Sequence, residues 1–491
     1  MRSTNAMQHP AASRGRSPSR RTAAPQPSRP SPAVRNVTAP RVSRPAPART
    51  AQARRPETRT TLDRDVMQHV EHSRLKGLEA HAIREPRSSQ EGVLRLHPSG
   101  PVTHQAAETK CPPCHWGLFV ATLLLAVLSV PLVYSASTAI ALENHSRVDY
   151  FLWRQLQFIC IGLGTLVVAS LIPSRQMRKV MWALYLITIV GLLATTFSPF
   201  GLSLGGVRRW LKLGPVLLQM SELAKIALIG VLAAFWSHVA HPERKPSWPW
   251  LVAGLLTLPL FALVFIQPHL SAALLLFLLP FCVGFYAAAP WKQMIKIVTP
   301  FVLLAGVTFG LCKTHQMPLL KPYQQDRIVA FVSGGGDDRG ADYQALQGQR
   351  ALTRGGLFGS GPGASLFKQG HLPAPHTDFI LAVIGEEWGL LGVLTLLLIY
   401  GTMIFFCFQI GHSAGTTFEA LLCAGIGTLL AIQVVCNVAV VTGLMPVTGM
   451  PLPLLSYGGS GFICTLLGLG LVLSVSRQAG NSGDSARAIV R

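Results

Sequence analysis

The chain has 491 residues, of which 49% are hydrophobic and only 13% are charged, and its formal net charge is +22. A soluble protein of this length would carry about twice that charged fraction. The apolar residues are concentrated in blocks of about twenty, the length at which a helix spans the hydrocarbon core of a bilayer. This composition excludes a soluble globular enzyme and predicts an all-α polytopic membrane protein.

Much of the positive charge lies in residues 1–114, a segment rich in Pro, Arg and Ser with few aromatic residues and no apolar period. Such a segment cannot bury enough surface to offset its chain entropy, which predicts a disordered cytoplasmic tail with a weak helix near residues 63–82. Its arginines suit anionic lipid headgroups or nucleic acid. We favour a solvated tail whose charge holds it inside, and we expect contact with membrane lipids and no nucleic-acid partner. The first apolar run begins too far along the chain for a secretory signal.

Cys111-Pro112-Pro113-Cys114-His115 precedes the first apolar block. This motif matches covalent haem attachment and resembles a redox pair or a lipidation site. No axial haem ligand is evident and the motif adjoins a membrane span, so the interpretation we favour is a juxtamembrane turn.

The hydropathy pattern predicts about ten transmembrane helices joined by short connections. Lys and Arg follow spans two, four and six, on the same side as the basic tail and Arg477. This bias predicts cytoplasmic termini, with residues 478–491 as a short cytoplasmic tail. The predicted spans are 116–136, 154–172, 180–197, 215–236, 249–266, 270–288, 294–312, 379–405, 419–443 and 458–476.

One long extracytoplasmic loop, from about residue 314 to 378, separates spans seven and eight. Structureless loops beyond about fifteen residues are uncommon unless they are functional or disordered. Cations on this side of the membrane break the usual charge bias and suggest an anionic ligand, such as a phosphate-bearing lipid headgroup. These cations are Arg208, Arg209, Lys212, Lys321, Arg327, Arg350, Arg354 and Lys368.

Asp378 is the strongest catalytic candidate, because it places a carboxylate at the membrane surface just before an apolar helix. A general base is one interpretation, and an N-cap of the following helix is the ordinary alternative. His376 could share a metal with Asp378, although two ligands are weak support. Further along, Glu386 and Glu387 lie inside the span, so at least one of them must be paired or face a polar cavity.

Other polar motifs lie in or beside the spans. Glu222 and Lys225 share one face of span four, either as an internal ion pair or as part of a pathway. Residues 343–359 combine Tyr343, Gln344 and glycines that would let backbone amides approach a phosphate. The Pro/Gly-rich run through Ser456 is typical of a re-entrant turn that lines a cavity.

These motifs together resemble the SEDS family (shape, elongation, division and sporulation), the RodA/FtsW group, over about residues 116–477. Besides the motifs above, the resemblance includes Ser135-Ala136-Ser137, Arg209-Trp210, Gln219 with Ser221 through Lys225, and Pro453 through Ser460. It implies a ten-span glycosyltransferase domain over residues 115–477 that polymerises lipid II at the outer face of a bacterial inner membrane. Partners would be the undecaprenyl diphosphate-linked glycan, a class B penicillin-binding protein and divisome or elongasome proteins.

In this resemblance the family's essential loop aspartate corresponds to Asp378. We expect no dedicated metal site and no certain cofactor, although a divalent cation, Mg or Mn, could assist the diphosphate. The predicted substrate-binding residues are Arg209, Trp210, Gln219, Glu222, Lys225, Tyr343, Gln344, Arg350, Arg354, His376, Glu386 and Ser456.

The chain departs from the family pattern at His269, where an acid is usual, and this imidazole would make activity pH-sensitive near a pKa of about 6.5. Tyr343-Gln344 and Ile384 through Glu387 favour a role in cell division over one in elongation. Two other classes stay open: a flippase for lipid-linked precursor, and an inert scaffold that recruits a transpeptidase.

Overall fold

The computed structural model describes residues 115–204, 207–213, 216–239, 248–296, 298, 299, 303, 306 and 341–489, apart from 370, 371 and 373. The predicted tail, the Cys111–Cys114 motif, most of span seven and much of the long loop lie outside the described residues. Lys321 and Arg327 lie there too.

The described residues form an all-α membrane bundle. Eight helices are long and apolar enough to span a bilayer, and a ninth apolar helix, Leu270–Tyr286, has 17 residues. Every predicted span except the seventh coincides with one of these helices, so the count of ten stays a prediction. The helices are α1 Trp116–His145, α2 Tyr150–Ser170, α3 Ser174–Phe197, α4 Met220–Val239, α5 Pro249–Ile266, α6 Leu270–Tyr286, α7 Ala341–Gly355, α8 Ile380–His412, α9 Thr417–Val441 and α10 Gly459–Ile489.

Helix α4 lies at the centre of the bundle. In its most apolar stretch 89% of the residues are buried, against 22% in the corresponding stretches of α2 and of α8. It contacts α3, α6 and α9. Peripheral helices instead expose large apolar side chains such as Leu186, Val190 and Leu398, which suits contact with lipid. The ion pair of Glu222 and Lys225 therefore lies on the most enclosed helix of the bundle.

A small antiparallel sheet, which the sequence did not predict, connects α3 to α4. Its strands are β1 Gly201–Leu204, β2 Val207–Leu213 and β3 Val216–Leu218, in the order β1-β2-β3. The predicted start of span four at residue 215 is wrong, since α4 begins at Met220 after β3. Strand β2 of this sheet carries Arg209 and Trp210.

Helix α8 consists of two segments separated at Gly389, whose backbone is non-helical with φ 68° and ψ −168°. The break frees backbone groups that residues 356–361 satisfy. The amides of Ser360 and Gly361 donate to the carbonyl oxygens of Glu386 and Glu387, at 2.9 and 3.0 Å. The amide of Leu390 in turn donates to the carbonyl oxygen of Gly356 at 2.9 Å. The segment before Gly389, residues 380–388, is called here the first segment of α8.

Replacing Gly389 by Ala is expected to lower the thermal midpoint in detergent by several degrees. A Cβ atom there would lie 2.4 Å from the amide nitrogen of Gly359, and a left-handed φ strains any L-residue. Gly401 on the same helix provides the control, because a Cβ atom there has nothing within 4 Å. Gly401→Ala should melt at or above the wild-type temperature. Equal midpoints for the two variants would contradict this account of the break.

Candidate active site

A cavity of about 890 Å³ opens between α2, the sheet, α4, α9 and the segment before α10. Its lining is mixed: α2, the sheet and α10 each contribute both polar and apolar side chains, and Asp378 lies among them. The polar lining residues are Arg154, Gln157, Arg209, Trp210, Gln219, Glu222, His269, Thr377, Asp378, Gln433, Ser456, Tyr457, Ser460 and Thr465. The apolar lining includes Phe158, Ile161, Leu217, Leu218, Phe462 and Ile463.

Asp378 lines this cavity and does not cap α8. The helix begins at Ile380, its N-cap residue is Phe379, and no side chain makes a capping hydrogen bond there. The N-cap interpretation is therefore wrong. The backbone of Asp378 is held instead: its carbonyl oxygen accepts from Asn437 Nδ2 at 3.0 Å, and the same amide donates to Met450 at 2.8 Å. Its position is thus fixed relative to α9 and to the segment before α10.

The segment between α9 and α10 forms one wall of the cavity, as the predicted re-entrant turn implied. Residues Leu452 to Ser456 are all buried, and Leu454 has a left-handed φ of 61°. The Ser456 hydroxyl accepts from the amide of Leu452 at 2.8 Å, so this predicted substrate ligand closes the turn. Tyr400 donates to the carbonyl oxygen of Pro453 and ties the wall to α8.

Arg209 and His269 meet at the end of the α5–α6 turn. The Arg209 guanidinium donates to the backbone carbonyl oxygens of Gln267 and Pro268, while His269 Nδ1 lies 3.1 Å from Ser221 Oγ. Burial first, and then the charges of Arg209 and Lys225, lower the pKa of His269 to about 3. The expected pH sensitivity near 6.5 is therefore wrong, because this imidazole stays neutral at physiological pH.

Glu222 and Lys225 form the intrahelical ion pair that the sequence offered as one interpretation. Lys225 Nζ lies 2.8 Å from both carboxylate oxygens of Glu222, and both side chains are buried. Glu222 borders the cavity, whereas Lys225 borders a small adjoining space next to Gln433 and Cys464. The structure thus brings Glu222, and not Lys225, to the main cavity.

His376 lies beside the cavity wall instead of facing the cavity. Its ring is buried between Phe151 and Tyr457, with centroid distances of 4.7 and 5.5 Å. Burial lowers the pKa of His376 to about 4, so the ring is neutral. Among the described residues, no group of three or more His, Cys, Asp or Glu could hold a metal.

The predicted ligands on α7 are not among the residues that line the cavity. Tyr343, Gln344 and Arg350 lie along this helix, and Arg350 is exposed. Arg354 Nε lies 3.3 Å from a carboxylate oxygen of Glu386, which is fully buried. A role for these residues in substrate binding stays a prediction.

The sequence also misjudged some charged groups. Lys368, expected among the cations available to an anionic ligand, is buried and paired with Glu387 at 2.8 Å. Conversely, Arg154 and Gln157 of α2 and Gln433 of α9 line the cavity without having been predicted. An arginine at the very start of a predicted span was the one available signal for Arg154.

Comparisons with known proteins agree with this architecture. Residues 115–481 match the FTSW_RODA_SPOVE family, described as cell cycle protein. A relative from Enterococcus hirae is 31% identical over 369 residues, covering 74% of this chain and 92% of the relative. One from Thioalkalivibrio sulfidiphilus is 33% identical over 375 residues, covering 75% and 90%. Both carry the name "Probable peptidoglycan glycosyltransferase FtsW".

A solved structure has the same fold. It was reported under "Structural coordination of polymerization and crosslinking by a peptidoglycan synthase complex" and aligns with a TM-score of 0.61 and 30% identity. The alignment covers 74% of this chain and 98% of that one. The chain is therefore a multi-pass membrane protein that belongs to the FtsW/RodA/SpoVE family, the family that its motifs resemble.

Proposed function

We propose that the chain is a peptidoglycan glycosyltransferase that polymerises lipid II at the outer face of the bacterial inner membrane. The observation that carries the proposal is the Asp378 side chain, which is not used as a helix cap and lines a large cavity that also contains Arg154 and Arg209. The names of the relatives support the same activity.

The geometry suits a direct displacement at a sugar carbon. A sugar 4-hydroxyl attacks the anomeric carbon of a second sugar, a new carbon–oxygen bond forms, and the bond to the lipid diphosphate breaks with its electron pair. Asp378 takes the hydroxyl proton, a contribution of about 10²–10⁴-fold for a positioned base. Arg209 and Arg154 stabilise the charge that develops on the departing diphosphate.

The polar and the apolar side chains that line the cavity match the two parts of such a substrate. Arginine, glutamine and tryptophan side chains suit the diphosphate and the sugars. The wall of Phe158, Ile161 and Ile463 is apolar and suits the prenyl chain. A divalent cation, if required, would accompany the diphosphate instead of occupying a dedicated protein site.

The partner in this proposal is a class B penicillin-binding protein that cross-links the product. The solved relative comes from work on a peptidoglycan synthase complex, which supports a paired transpeptidase. Both relatives described above carry the FtsW name, which supports a division role within the divisome. Cytoplasmic termini are part of the same proposal, since they place Asp378 on the outer face of the inner membrane.

Reconstituted vesicles separate polymerisation from the two other classes. Purified protein with lipid II in the membrane should yield glycan strands when the cognate transpeptidase is present. Movement of labelled lipid II across the bilayer without strands would point to a flippase. Neither activity together with tight transpeptidase binding would point to a scaffold.

Replacing Gly449 by Ala should lower the polymerisation rate about tenfold or more without unfolding the protein. Gly449 has a φ of 71°, and a Cβ atom there would lie 3.4 Å from Asp378 Oδ2. A left-handed φ strains alanine, so the backbone beside Asp378 is expected to shift, and even a small displacement of a reacting group costs much of the rate. Gly164→Ala on α2 is the control, because a Cβ there has nothing within 4 Å. Rate and melting temperature measured together test this: equal rates for both variants contradict the placement of Asp378.

A further inference from the structure

A buried cluster of Ser135, Lys368 and Glu387 joins three separate parts of the chain: α1, the loop before Asp378, and α8. Lys368 Nζ lies 2.8 Å from Glu387 Oε1, 2.9 Å from Ser135 Oγ and 2.8 Å from the carbonyl oxygen of Gly363. Ser135 Oγ also donates to Glu387 Oε1 at 2.7 Å. Three of the ammonium's donors are thus satisfied, and the side chains of Lys368 and Glu387 are only 6% and 2% exposed.

The neighbouring Glu386 fixes the turn that presents Lys368. Its carboxylate accepts from the hydroxyl of Ser365 and from the amides of Leu366 and Phe367, at 2.9 Å for Leu366. The Ser365 hydroxyl in turn accepts from the amide of Lys368 at 3.3 Å. The loop that carries Lys368 is therefore attached to α8 through both Glu386 and Glu387. None of the three residues of the cluster lines the cavity.

The cluster and Asp378 lie at opposite ends of the same stretch of chain, which consists of residues 378 and 379 and the first segment of α8. Asp378 comes two residues before α8 begins, and Glu387 lies near the end of the first segment of α8. From Ile380 to Glu387 the helix is about 10 Å long at a rise of 1.5 Å per residue. The break at Gly389 lies two residues beyond Glu387. Because the helix is interrupted there, the longer second segment does not fix the direction of the first segment. The first segment must therefore be held by its own contacts with the rest of the protein.

We propose that Ser135, Lys368 and Glu387 are positioning residues that fix the first segment of α8 against α1 and so hold Asp378 in its reactive place. The proposal rests on the proposed function, because Asp378 is taken as the base. In this proposal the cluster affects the rate of turnover and does not contribute to substrate binding. Ser135 was part of a motif with no role of its own, and Lys368 was expected to meet a ligand.

The effect of replacing the whole ion pair by apolar side chains distinguishes a positioning role from a merely stabilising one. Replacing a buried ion pair by apolar side chains of similar size is often neutral or stabilising, whereas removing one partner leaves an uncompensated charge. A cluster kept only for stability would therefore be dispensable in a fully apolar replacement. A positioning cluster would not be, because apolar contacts do not reproduce its directed hydrogen bonds.

The decisive variant is the double substitution Lys368→Met/Glu387→Leu in the full-length protein. We expect a melting temperature close to wild type, kcat lowered at least tenfold, and KM for lipid II within about twofold. Hydrogen exchange of the amides of residues 379–384 should accelerate about tenfold or more. The control Arg147→Met/Asp149→Leu removes an exposed ion pair, 70% and 38% exposed, and should leave all four quantities unchanged.

Wild-type kcat together with unchanged exchange in the double variant would overturn the proposal. If the double variant does not fold, Ser135→Ala carries the same test, because it removes only the bridging hydroxyl. If wild-type protein itself makes no glycan strands, the proposed function fails. The exchange rates still decide whether the cluster positions the first segment of α8.

Discussion

Asp378→Asn is expected to lower the rate of glycan synthesis by about 10²–10⁴-fold while the affinity for lipid II stays near wild type. Asparagine has nearly the shape of aspartate, and the backbone contact of residue 378 with Asn437 does not involve the side chain. The variant is therefore expected to keep the fold and the cavity and to lose the group that accepts a proton. Turnover with purified protein, and lipid II binding measured separately, check the two halves of this expectation.

Asp149→Asn is the matched control, since it removes an exposed carboxylate whose hydrogen-bond partners among the described residues, Arg147 and Trp153, are themselves exposed. It should polymerise at the wild-type rate. A rate for Asp378→Asn within twofold of this control, at equal protein concentration, would remove Asp378 from the chemistry.

Arg209→Ala is the second large effect, with an expected rate loss of about 10²–10³-fold. The side chain lines the cavity and also donates to two carbonyl oxygens of the α5–α6 turn, so its loss removes a charge and releases that turn. Lysine should restore only part of the rate, because its single ammonium cannot reproduce the planar fork of guanidinium donors.

Arg208→Ala provides a closely matched control. Arg208 is the preceding residue on β2, carries the same charge and is exposed. It is not among the residues that line the cavity. Steady-state rates at several salt concentrations compare the two variants. Equal losses would mean that general positive charge, and not the placement of Arg209, assists the reaction.

The membrane spans were predicted well because the length of each apolar block can be read directly from the sequence. Nine predicted spans therefore coincide with helices, although α1 continues to His145 beyond its predicted end at residue 136. The sheet from Gly201 to Leu218 was not predicted. Its strands are short, and the third had been absorbed into a span.

The site was predicted in part. Asp378, Arg209, Trp210, Gln219, Glu222 and Ser456 do meet at one cavity, but their convergence depends on helix packing that no local pattern encodes. The pairing of Glu386 and Glu387 followed from the cost of a buried charge. Their partners, Arg354 and Lys368, did not follow, because Arg354 lies on α7 and Lys368 on the loop after it, and how these segments pack against α8 is not encoded in any local pattern. For the same reason Lys368 was taken for a ligand-binding cation.

The most direct test of the central claim is the product of purified protein acting on lipid II beside its cognate class B penicillin-binding protein. Wild-type protein should make long glycan strands, and Asp378→Asn protein at the same concentration should make them at least about a hundredfold more slowly. Strands of normal length from Asp378→Asn at the wild-type rate, or transport of lipid II by wild-type protein without any strand, would contradict the claim.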